Sequence, residues 1–81
     1  VDELAKSILS FLIKENEKGE SWSPLNDEAS EKRFEAPWTR IMVRLRMMQA
    51  GGLITIQALN SDDEPSDVGI KLTEKGKNFS I

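Results

Sequence analysis

The chain has 81 residues, 38% hydrophobic and 31% charged, with a formal net charge of −3, no cysteine and no histidine. That is the size and balance of one small domain spanning residues 1–81. It excludes a disulfide framework and a thiolate or imidazole metal site. It also excludes a membrane-spanning helix, since no apolar run approaches the ~18 residues that a bilayer demands.

The absence of cysteine fits a reducing, cytoplasmic setting. Val1 is not an initiator methionine, so the chain reads as part of something longer, and its acidic start is unlike a secretory signal. In chain order, Leu4, Ile8, Phe11 and Leu12 recur at helical spacing, with Ala5, Leu9 and Ile13 widening the stripe. Asp2 and Glu3 suit the positive end of that helix and Gly19 its exit, giving a first helix over about residues 2–17. Ser23-Pro24 breaks the helix, and Trp22 or Leu25 is expected to anchor across the core. A short second helix, about residues 27–33, would be capped by Asn26 or Asp27. Pro37 then opens the clearest helix, residues 37–50, with Trp38, Ile41, Met42, Leu45 and Met48 inward and Gly51-Gly52 at its end. Leu53 begins an alternating, β-branched run to about residue 59, and Val68, Ile70 and Leu72 mark a second strand. The two form a hairpin, with a third short strand expected near Trp22. Thr73 resembles a helix cap, after which Phe79 and Ile81 tuck inward.

The expected core gathers Leu4, Ile8, Phe11, Leu12, Leu25, Phe34, Trp38, Ile41, Leu45, Leu53, Ile56, Val68, Ile70 and Leu72. The two tryptophans read as core or anchor residues rather than base-stacking platforms.

Charge is segregated. Arg40, Arg44 and Arg46 make residues 37–58 basic, whereas Asp62, Asp63, Glu64 and Asp67 make the following turn acidic. That acidic spacing lacks the alternation and terminal glutamate of a calcium loop, so it reads as a polar turn and no metal is expected. An enzyme is not expected either. Histidine and cysteine are absent, the glycines form no phosphate loop, and Glu15 and Glu17 do not face each other on a helix. No cofactor is implied.

Two phrases flank the hairpin: Leu45…Gly51-Gly52-Leu53-Ile54 before it and Leu72-Thr73-Glu74-Lys75-Gly76 after it. Over most of residues 4–79 the chain resembles the winged-helix superfamily, in many bacterial members of which such phrases close the third helix and the wing hairpin. The approach SPLNDEASEKRF is similar to small bacterial and phage proteins of the YjcQ type. The resemblance implies an α+β winged helix, with three helices and a two- or three-stranded antiparallel wing sheet. It also implies double-stranded DNA binding and a role in transcription regulation, with the third helix as the recognition helix in the major groove. Carried over by position, the contact residues are Thr39, Arg40, Val43, Arg44 and Met47. A basic stripe reaching Lys71 and Lys75 would favour DNA. A guanidinium fork on Arg40 or Arg44 suits both guanine and phosphate. A homodimer or a further domain would raise the affinity.

The rival reading is a winged helix that docks a protein, through the same Arg40/Val43/Arg44/Met47 face or the acidic turn. The bland reading of the arginines is a solvated face paired with carboxylates such as Glu35. Arg46 is read as lying off the main exposed arc, supporting packing or a salt bridge.

Overall fold

A computed structural model describes residues 2–58 and 66–79. The described residues form a mixed α+β unit of four helices and a three-stranded antiparallel sheet. Helix α1 spans Glu3–Glu17, strand β1 Ser23–Asn26, helix α2 Asp27–Phe34 and helix α3 Trp38–Ala50. Strands β2 (Ile54–Ala58) and β3 (Asp67–Leu72) and the short helix α4 (Glu74–Lys77) follow.

Each helix start has a local chemical cause. The Asp2 carboxylate accepts from the Ala5 N–H at 2.9 Å and caps α1. Asn26 does the same for α2 through the Ala29 N–H, and it is also the last residue of β1, so strand passes into helix without a loop. For α3, Pro37 supplies the entry conformation and no cap of its own. The Glu31 carboxylate of α2 reaches across and accepts from the Trp38 N–H at 2.8 Å.

The helix ends divide between two solutions. Gly19 (φ 94°) and Gly52 (φ 79°) take the left-handed conformation that glycine adopts without strain. After α2 the same conformation falls on Glu35 (φ 53°), a residue type that disfavours it.

The sheet order is β1-β3-β2. The expected hairpin is present, with Ile54 opposite Leu72, Ile56 opposite Ile70 and Ala58 opposite Val68. The expected third strand pairs with the far side of β3, with Leu25 opposite Val68. Pro24, which lacks an N–H, is tolerated because β1 is an edge strand. The acidic residues Asp62, Asp63 and Glu64, together with Leu59 and Ile81, lie outside the described residues.

The core is built from Ile8, Leu9 and Leu12 of α1, Ile41, Met42, Leu45 and Met48 of α3, Leu53 just ahead of β2, and Leu25, Ile54, Val68, Ile70 and Leu72 of the sheet. Leu4, Phe11, Phe34, Trp38 and Ile56 pack against it partly buried rather than inside it. Ile54 is an addition to the expected core. Leu53 precedes the strand, held by its N–H to the Met48 carbonyl at 2.9 Å, so the strand's inward parity starts at Ile54. The structure decides between the two anchor candidates. Leu25 is the buried anchor, whereas Trp22 stays 38% exposed with the Lys71 ammonium 5.8 Å from its ring centroid.

Candidate functional site

Helix α3 turns Ile41, Met42, Leu45 and Met48 to the core. Its solvent arc carries Thr39, Arg40, Val43, Arg46 and Met47, all exposed. Val43 (46% exposed) and Met47 (64%) occupy the middle of that arc. Arginines flank them: Arg46 on one side, Arg40 and Arg44 on the other. The helix contains no acidic residue. Neither Arg40 nor Arg46 is ion-paired to another described residue.

Arg46 is exposed, and the packing or salt bridge expected of it is not observed among the described residues. The signal was present in the sequence. Thr39, Val43, Arg46 and Ala50 stand at i, i+4, i+7 and i+11, which is one helical face.

Arg44 has a different situation from the one expected. Its guanidinium grips the Asp2 carboxylate, with Nη2 at 2.6 Å and Nε at 2.8 Å from the same oxygen. The Arg44 side chain is only 26% exposed. The hydrogen bond from Arg44, followed by that from the Ala5 N–H, holds the Asp2 carboxyl below its ordinary pKa, and Asp2 raises that of Arg44 in turn. Asp2 therefore caps α1 and ties it to α3 with one carboxylate. The expected partner Glu35 plays no part in this pairing.

Lys75 also has a contact within the chain. Its ammonium donates to the Gly51 carbonyl at 2.8 Å, closing the carboxyl end of α3. This contact belongs to an interlock between the two flanking phrases. The Thr73 hydroxyl donates to the Gly52 carbonyl at 2.5 Å, and the Thr73 N–H donates to the Leu53 carbonyl at 3.0 Å. The same hydroxyl accepts from the Gly76 N–H at 3.1 Å and caps α4. Gly76 lies so close to this junction that a Cβ there would fall 2.1 Å from the Leu53 carbonyl oxygen. The two phrases thus owe their form to packing against each other. Lys71 stays exposed on β3, beside Trp22.

Beneath Arg44 and Met47 runs an open apolar groove of about 490 Å³, walled by Ala5, Leu9, Met48 and Leu53. The Asp2–Arg44 pair stands at its rim. Of the sequence-derived site residues, Thr39, Arg40, Val43 and Met47 share one accessible face. Arg44 and Lys75 each hold a partner within the chain, Asp2 and the Gly51 carbonyl, and Lys71 sits on the sheet.

Among the described residues, no group of three or more acidic, histidine or cysteine side chains could hold a metal ion, and no helix is long and apolar enough to cross a membrane. Comparisons with family models, curated proteins and solved structures find no match.

Proposed function

We propose that this chain is a winged-helix DNA-binding domain with a role in transcription, in which α3 reads the major groove and the β2–β3 hairpin forms the wing. The carrying observation is the solvent arc of α3, acid-free and bearing two arginines with no ion pair to another described residue, in a chain of net charge −3. Support for the fold comes from the element order and the β1-β3-β2 sheet, an arrangement compatible with a winged helix. In this reading Arg40 and Arg46 contact phosphate or guanine and Thr39 adds a hydroxyl. Lys71 offers a backbone contact. Arg44 and Lys75 act indirectly: one sets α3 against α1, the other closes the end of α3.

A second reading has its own support. Val43 and Met47 put an exposed apolar pair at the centre of the arc, which suits docking on a protein as part of an interaction module. Binding to duplex DNA across a salt series separates the two. Groove binding weakens steeply as salt rises, and Arg40→Ala lowers the slope of log K against log salt by about one. Folded protein that ignores duplex DNA at low salt, as monomer and at dimer-forming concentrations, overturns the DNA reading.

A further inference from the structure

A second groove lies between α1 and α2, and no residue of α3 lines it. It has a volume of about 510 Å³ and is lined by Lys6, Ser7, Ser10, Lys14 and Arg33, by the Phe11 and Phe34 rings, and by Glu3. Three of these residues are cations and one is an acid. None of the three cations is ion-paired to another described residue. In an acidic chain, where Asp2, Glu15 and Glu74 all hold basic partners, such a concentration of unpaired positive charge is uneven.

The floor is aromatic and ordered. Phe11 and Phe34 meet edge to face, with centroids 5.8 Å apart and planes at 76°. The Arg33 guanidinium lies 4.4 Å over the Phe11 ring. Stacking of this kind restrains the guanidinium plane and leaves its N–H edge available for a planar or tetrahedral oxyanion. Lys6 and Lys14 add two point charges, and Ser7 and Ser10 add hydroxyl donors.

We infer that this groove is a receptor for a phosphomonoester. A phosphomonoester carries about −1.5 to −2 charge at neutral pH and three acceptor oxygens. The groove's three cations, less the Glu3 carboxylate, match that charge, and Arg33 with the two serines supplies donors for the oxygens. A carboxylate has half the charge, and a phosphodiester has one charge and two accessible acceptor oxygens. Neither uses all three cations. Beside the phosphate, the exposed part of the Phe11–Phe34 pair offers an apolar rest for the carrier group.

The test is an amide-resonance titration of the whole chain at constant ionic strength with three probes: phenyl phosphate, inorganic phosphate and dimethyl phosphate. Saturable shifts at Ser7, Ser10, Phe11 and Arg33 with phenyl phosphate are expected, with the diester at least tenfold weaker. Inorganic phosphate binding as tightly as phenyl phosphate assigns recognition to the phosphate alone. Tighter phenyl phosphate assigns part of it to the aromatic floor. Both outcomes support the receptor and tell its carriers apart. Arg33→Gln is expected to weaken phenyl phosphate at least tenfold and Glu3→Gln to strengthen it. Lys14→Gln, a change at an exposed lining residue, is expected to weaken phenyl phosphate as well and guards against a variant that fails to fold. Absence of saturable shifts, equal binding of the diester, or indifference to both Arg33→Gln and Lys14→Gln overturns the inference.

Discussion

At the scale of single residues, two backbone positions carry opposite lessons. Gly76 sits in a helix, where alanine is ordinarily the better residue by ~1 kcal/mol. Here an added Cβ would fall 2.1 Å from the Leu53 carbonyl oxygen, and backbone cannot yield as a flexible side chain does. Overpacking of this kind costs about 3 kcal/mol at the upper end of its range, so the clash outweighs propensity. Gly76→Ala is expected to destabilise by about 2 kcal/mol in urea denaturation. Glu35 is the converse case. Its φ of 53° and ψ of 45° put an ordinary side chain in left-handed backbone, at a cost of ~1–2 kcal/mol. Glu35→Gly removes that strain and gives back part of the gain as chain entropy. The net expectation is a stabilisation of about 0.5–1 kcal/mol, visible as a higher thermal midpoint. Asp2 makes a pH-dependent contribution. Its carboxyl is held below the ordinary value of 3.8 in the folded chain. The stability it adds is therefore full above about that pH and is lost as pH falls through the lowered folded value. Asp2→Asn keeps a capping oxygen but lacks the charge. Acid titrations of unfolding should show the wild type ahead of Asp2→Asn near neutrality, with the gap closing below pH 3.8. A gap that persists unchanged in acid would contradict the assignment.

At the scale of elements, α4 matters more than its four residues suggest. Thr73 holds it against the exit of α3 with one hydroxyl that donates to Gly52 and accepts from Gly76. Thr73→Ala removes a cap and a cross-element hydrogen bond together, with an expected loss of about 1–2 kcal/mol. The urea midpoint should fall at an unchanged denaturant slope, because the same surface is exposed on unfolding. A comparable bridge ties α3 to β2, where the Gln49 side-chain carbonyl accepts from the Ile56 N–H at 2.7 Å. Helix α3 is thus fixed at its start by Glu31, at its flank by Asp2 and at its end by Gln49 and Lys75. A helix restrained at all these points presents its outer arc at a set angle, which suits any rigid recognition surface.

At the scale of the whole molecule, the question is how an acidic chain presents basic surfaces. The arc of α3 and the α1–α2 groove are separate, and different arginines serve them. That separation gives a direct expectation. Arg40→Ala lies on the exposed arc and should leave stability within ~0.5 kcal/mol while lowering the salt slope of DNA binding by about one. Under the proposed DNA reading, Arg33→Gln should leave binding by the α3 face as it was, since Arg33 lies on α2. In a domain this small, a change of 1 kcal/mol moves the thermal midpoint by roughly 4–8 °C, so a stability loss is easily told from a binding loss.

Local signals in the sequence were sufficient for the helices, the hairpin and most of the core. Apolar spacing, capping residues and glycine exits act over a few residues and are written in the chain itself. They placed α1, α2 and α3 and marked the Thr73 cap. The same periodicity contained Arg46, whose i+7 relation to Thr39 sets it on the exposed arc. What only the tertiary structure decided is which charges remain available. Arg44 meets Asp2 across 42 positions of sequence and Lys75 meets Gly51 across 24, so no local pattern could reveal that either is engaged. A side chain's chemistry is fixed by its residue type, but its partner depends on which segments the fold brings together.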